Sequence, residues 1–175
     1  RPDLLRIKNY LNTLVGERNP HSSPDSLKCC ADYIADQFQH SQLIVREEQV
    51  PFEAGASDNI LGYKKGTAHD LNPFVLAAHY DTVEGSPGAD DNASAVAALL
   101  ETAHCLQSVP LKTPLVFAAF TLEEYGFIGS HHHIVETKKL GNGFSGMISL
   151  EMVGYRDSRP GAQSYPVYVD PTHYP

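Results

Sequence analysis

Three nearly continuous apolar runs of strand length constrain this chain more than any other feature: "PFVLAAH" (73–79), "TPLVFAAFT" (113–121) and "FSGMISLEMV" (144–153). Such runs suit strands buried on both faces. Between the first two lies an alanine-rich helical pattern, "NASAVAALLETAHCLQ", and between the second and third a weaker one, "GFIGSHHHIVETKKL". Strand, helix, strand, helix, strand is the order that builds a parallel sheet with right-handed crossovers. Upstream, "PDLLRIKNYLNTLVG" and "SPDSLKCCADYIADQFQ" carry apolar residues at three- and four-residue spacing and predict two amphipathic helices. "QLIVREEQVPFE" and "NILGYKKG" alternate like exposed strands, and the polar connection "AGASD" suits an antiparallel edge pair. The expected fold is α/β: three αβα layers with a mixed, mostly parallel central sheet and an antiparallel pair at one edge. With 175 residues and 42% hydrophobic content, one domain over 1–175 suffices.

In an open α/β sheet, functional groups collect beyond the carboxyl ends of the strands. Here the first buried run ends in His79-Tyr80-Asp81, the second in Glu123-Glu124 and the third in Leu150-Glu151, with Asp90 and Asp91 in the loop after the first. A single acidic residue there says little, because carboxylates are favoured at helix N-termini. Three strand ends in succession, each with a candidate ligand, say more. Imidazole with carboxylates and no thiolate suits zinc or a related transition ion better than calcium or magnesium. The excess of carboxylates over histidines suggests two ions sharing a bridging carboxylate, since two dications about 3.5 to 4 Å apart need anionic neutralisation.

Other features narrow the class. A net charge of -8 without a long basic run disfavours nucleic acid, and no apolar segment is long enough to span a bilayer. Cys29, Cys30 and Cys105 show no CxxC spacing, so neither a disulfide framework nor a thiolate zinc site is expected, and all three read as buried small side chains. The compartment stays open between the cytoplasm and secretion after removal of a leader, and the oligomeric state stays open too. The run His131-His132-His133 cannot chelate one ion, because consecutive helical residues point about 100° apart. These read as surface or partly packed residues, and His104 as packed.

The elements "HYDT", "GADDNASA", "TLEEYGFIGS" and "SLEMVGY", in this order, resemble the co-catalytic di-zinc aminopeptidase family, whose relatives include bacterial leucyl-type aminopeptidases, glutamate carboxypeptidases and glutaminyl cyclases. The resemblance implies zinc-dependent hydrolysis of the N-terminal bond of a peptide substrate. It makes His79 a terminal zinc ligand, Asp81 the carboxylate that orients its imidazole, and Asp91 the bridging ligand, with Asp90 a mere neighbour. Glu123 resembles the general base that deprotonates the attacking water, Glu124 the ligand of the second zinc, and Glu151 the remaining terminal ligand. The family commonly has aspartate where Glu151 stands. Its second zinc also takes a histidine from far downstream, which leaves only Glu124 and Asp91 for that ion here. His173, in a Pro- and Tyr-rich tail, lacks the strand-end setting of a substitute. The resemblance therefore implies a domain incomplete at its C-terminus: a chain that by itself binds metal incompletely, hydrolyses peptides poorly or not at all, and exposes apolar surface that promotes association. A carboxypeptidase, a cyclase and a non-catalytic binding module of the same fold remain the alternatives.

Overall fold

The computed structural model describes residues 1–53, 55–68, 70–160 and 162. The chain opens with α1 (Leu4–Leu14) and α2 (Pro24–His40). Asp3 caps α1 by accepting from the backbone N–H of Leu5 and Arg6, and a proline at the first position starts α2, where a missing N–H costs nothing. β1 (Ile44–Phe52) and β2 (Gly55–Lys64) then pair antiparallel. β3 (Phe74–His79), α3 (Ala95–Leu106), β4 (Leu115–Phe120), α4 (Ile128–Lys139) and β5 (Gly146–Ser149) complete the described order. The sheet runs β1-β2-β4-β3-β5, with β3 parallel to both β4 and β5. This is the expected mixed sheet with an antiparallel edge pair.

Strand periodicity divides the core between two faces. Ile60, Ala78, Phe117 and Ala119 pack with α1, α2 and α3. Leu61, Val75, Ala77, Val116, Ala118 and Phe120 form a second cluster on the opposite face, the side of α4 and Phe144. The alanines of α3 bring Leu99 and Leu100 into full burial, each contributing about 2 kcal/mol of apolar transfer. Among the described residues no helix is long and apolar enough to cross a membrane.

Four expectations need correction. The hairpin connection is not 54–58: β2 already begins at Gly55, and Glu53 turns the chain with a φ of 49°. Ser57 and Asp58 enter the strand because Ser57 Oγ bonds Thr121 Oγ1 at 2.6 Å and the Asp58 carbonyl accepts from Tyr80 Oη. The third apolar run is not buried on both faces. β5 is the last strand in the order, pairing β3 alone among the described elements, and Met147 and Ile148 are about half exposed. The alanine-rich helix starts at Ala95, because Asp91 and Asn92 leave helical backbone in the preceding turn, Ala89–Ser94. The cysteines are free, but only Cys30 is buried; Cys29 faces solvent and Cys105 is half-buried.

Candidate metal centre

The residues singled out at the three strand ends converge. His79, the last residue of β3, is 5% exposed and turns its Nε2 toward three carboxylates: Asp91 Oδ1 at 3.1 Å, Glu151 Oε1 at 3.5 Å and Glu123 Oε2 at 3.9 Å. Ligand atoms of His79, Asp91 and Glu151 all lie within 4.8 Å of one another, and so do those of His79, Glu123 and Glu124. Two triplets thus share one imidazole. Asp90 joins neither; its Oδ1 accepts from the Gly154 N–H at 2.8 Å and from Ser94 Oγ at 3.1 Å.

Asp81, fully buried, holds the glutamate pair by its backbone: Oδ1 accepts from the Glu123 N–H at 3.0 Å and Oδ2 from the Glu124 N–H at 3.1 Å. The same Oδ1 lies 3.4 Å from His79 Nδ1, a long contact, and that buried nitrogen makes no hydrogen bond. The Asp81 carboxylate therefore clamps the glutamate turn more firmly than it holds the imidazole. The turn needs a clamp, because Leu122 adopts a φ of 55°, a conformation costing a non-glycine residue about 1 to 3 kcal/mol. Asn59 adds a second anchor, accepting from the Thr121 N–H at 3.2 Å and donating to the Gly129 carbonyl at 2.9 Å.

Glu151 is held from the other side. Asn92 Nδ2 donates to Glu151 Oε2 at 3.0 Å and to the Leu150 carbonyl at 3.2 Å, while its Oδ1 accepts from the Met152 N–H at 3.1 Å. Met152 also has positive φ, at 44°. Each strained residue adjoins a candidate ligand, and each is fastened by a buried amide or carboxylate that sequence reasoning did not single out for that task. The sequence signal for Asn59 is a polar amide beside an apolar run, and that for Asn92 its place next to Asp91 in "GADDNASA".

The electrostatics are those of an uncompensated acidic site. Burial raises the Glu123, Glu124 and Glu151 carboxyls above their ordinary range; His79 opposes this and the neighbouring carboxylates add to it. Burial alone would lower the His79 imidazole, but Asp81, Glu123 and Glu151 push it up to about 9. A protonated His79 would offset part of this crowding of negative charge. A divalent ion would offset it better, and the donor set of one imidazole nitrogen with several carboxylate oxygens fits zinc. A cavity of about 380 Å³ adjoins the group, with Phe120, Phe127 and Met147 in its walls.

The histidine run forms no joint site. His131 is exposed and His132 half-buried, whereas His133, expected at the surface or partly packed, is buried outright between Phe120 and Phe144. Glu48 makes that burial tolerable, with its carboxylate 3.0 Å from His133 Nδ1. His104 is half-buried on α3, and His173 lies outside the described residues.

Comparison with known proteins assigns the chain to a family. Escherichia coli K12 YfbL, an uncharacterised protein, is 36% identical over 173 residues, covering 93% of this chain and 53% of that protein. The chain thus spans about half the length of this relative. Legionella pneumophila LapA aminopeptidase superposes with a TM-score of 0.75 at 21% identity, covering 86% of this chain and 43% of LapA, a likeness of fold. BSAP, a zinc aminopeptidase from Bacillus subtilis, matches at 38% identity with a TM-score of 0.53, over 59% of this chain and 26% of BSAP. Residues 59–170, which contain all six predicted site residues, match Peptidase family M28, and the chain belongs to that family.

Proposed function

We propose that this chain carries the metal centre of a zinc-dependent aminopeptidase, which removes the N-terminal residue of a peptide by activating water at a pair of zinc ions. The observation that carries the reading is the convergence of Asp91, Glu123 and Glu151 on His79 Nε2, with Glu124 completing a second triplet about the same ring. The zinc aminopeptidase BSAP supports the choice of metal. His79 and Glu151 would hold one ion and Glu124 the other, with Asp91 between them. When bound, zinc supplies a Lewis acid that acidifies water and polarises a carbonyl.

The remaining chemistry belongs to the chain. Glu123 takes the proton of the attacking water and returns it to the leaving amine; burial raises its carboxyl, which brings its basicity closer to that task. Asp81 fixes where that carboxylate starts, because it grips the N–H groups of both glutamates. Asn92 fixes Glu151 by donating directly to its carboxylate. Phe120, Phe127 and Met147 offer apolar walls beside the reacting groups.

The test has two arms. Metal-free chain is titrated with zinc while metal content and melting temperature are followed; a hundredfold excess over the dissociation constant should add about 2.7 kcal/mol of stability. The whole protein is then assayed on a chromogenic leucyl amide and its N-acetylated counterpart, and only the free-amine substrate should be cleaved. A chain that takes up no zinc overturns the metal reading, and equal cleavage of the blocked substrate overturns the aminopeptidase reading.

A further inference from the structure

Arg18, in the loop after α1, is 3% exposed, yet among the described residues its guanidinium donates to backbone carbonyls alone. Nε donates to Tyr80 O at 2.7 Å, and Nη2 to Gly88 O at 3.1 Å. Nη1 donates to Leu14 O at 2.5 Å, to Pro87 O at 3.3 Å and to Gly16 O. The loop backbone is sewn to the same strand end: the Arg18 N–H donates to Thr82 Oγ1 and the Thr82 N–H to Arg18 O, each at 3.0 Å. A structural arginine sealed from solvent ordinarily finds a carboxylate, because an unpaired buried cation is expensive. This one instead spans the two segments that carry the candidate ligands. Tyr80 lies between His79 and Asp81, and Gly88 lies three residues before Asp91.

We propose that Arg18 is a positioning residue for the metal centre, its planar fork fixing the spacing between the end of β3 and the Asp91 loop, and hence between His79 and Asp91. The proposal rests on the zinc reading above for its consequence, though not for its geometry. A lysine keeps the charge but places all its donors on one nitrogen, so it cannot reach Tyr80, Gly88 and Leu14 together. Gly88 leaves room for the fork by having no Cβ, since one there would lie 2.5 Å from Arg18 Nη2.

The test compares Arg18→Lys with Ile34→Ala, a core control in α2 that takes no part in the fork's hydrogen bonds and is chosen to lower the melting temperature at least as much. In metal-free protein, amide hydrogen exchange at residues 80–82 and 88–92 should quicken about tenfold in Arg18→Lys and stay near wild type in the control, the contrast expected of a local opening. Zinc affinity should fall about 10- to 100-fold in Arg18→Lys, the usual effect of losing a group that supports metal ligands, and little in Ile34→Ala. Unchanged exchange in Arg18→Lys, or the same quickening in both variants, overturns the proposal. If the wild type takes up no zinc, the zinc reading falls while the exchange measurement still decides the positioning role. Should Arg18→Lys fail to fold, Thr82→Val, which removes one of the two hydrogen bonds between the Arg18 backbone and Thr82, should give the same local quickening of exchange and loss of zinc affinity in smaller measure, and unchanged exchange there overturns the proposal.

Discussion

Glu101 and Glu123 both turn their carboxylates into the molecule, and their surroundings pull them in opposite directions. Glu101 on α3 is 3% exposed, but Arg6 grips it from α1 through Nε at 2.6 Å and Nη2 at 2.8 Å, and the Asp3 N–H adds a third donor. Hydrogen bonds from Arg6 outweigh burial and hold its carboxyl below the ordinary range. Glu123, with its side chain 26% exposed, is raised instead, and so are Glu124 and Glu151. Burial acts on both groups; the helix layer grips its one carboxylate with a guanidinium, whereas at the strand ends a single imidazole faces several carboxylates. Buried charge in this protein is thus finished at α1–α3 and left unfinished at the strand ends, as expected where an ion completes the site.

The largest effect expected from that contrast separates the two glutamates of the clamped turn. In the whole protein, Glu123→Gln should leave zinc content and melting temperature nearly unchanged while turnover falls by about two orders of magnitude or more, the usual contribution of a positioned general base. Glu124→Gln should lose metal as well, seen as a lower zinc-to-protein ratio. Full zinc in both variants, with activity lost only in Glu124→Gln, would exchange their roles.

A smaller effect tests the finished end. Glu101→Gln strands a partly buried arginine and should cost about 2 kcal/mol at neutral pH, below the range for fully buried pairs because Arg6 keeps 28% side-chain exposure. The sign with pH follows from the lowered carboxyl. Its stabilisation is complete above the unfolded glutamate value, about 4.3, and is lost as pH falls through the lower folded value. Denaturant unfolding of wild type and variant should show a constant gap near neutrality that narrows in acid. A gap that widened below about pH 4 would reverse the assignment of which end is compensated.

How much of this could be read in advance depends on where each residue's partners lie. His79, Glu123, Glu124 and Glu151 were legible because each interrupts or ends an apolar run, and the fold supplies a reason for ligands at that end. Arg18 was not, since Tyr80 stands 62 residues away, and Asn92 reaches Glu151 across 59. Nothing local marks Arg18 as different from a loop polar residue, and Asn92, though inside "GADDNASA", gives no local sign of its partner. The register of the edge pair failed for a related reason: Ser57 and Asp58 look like loop residues until Thr121 and Tyr80 supply their partners. β5 misled because an apolar run states what a strand prefers to cover, not where it falls in the sheet order.

The smallest expected effect marks the floor of the comparison. Lys28 and Asp32 sit one turn apart on α2 with Nζ 2.6 Å from Oδ1, as short as the contact between Arg6 and Glu101. If proximity of opposite charges were what stabilises, the two pairs would contribute alike. Both partners on α2 are more than half exposed, however, so water already solvates each charge, and fixing two long side chains costs entropy. Lys28→Ala should therefore change stability by no more than about 0.5 kcal/mol, and less at high salt. Denaturant unfolding of this variant beside Glu101→Gln isolates what exclusion of solvent adds to an ion pair. A loss at Lys28 equal to that at Glu101 would mean that distance, and not compensation inside the protein, separates the helix layer from the strand ends.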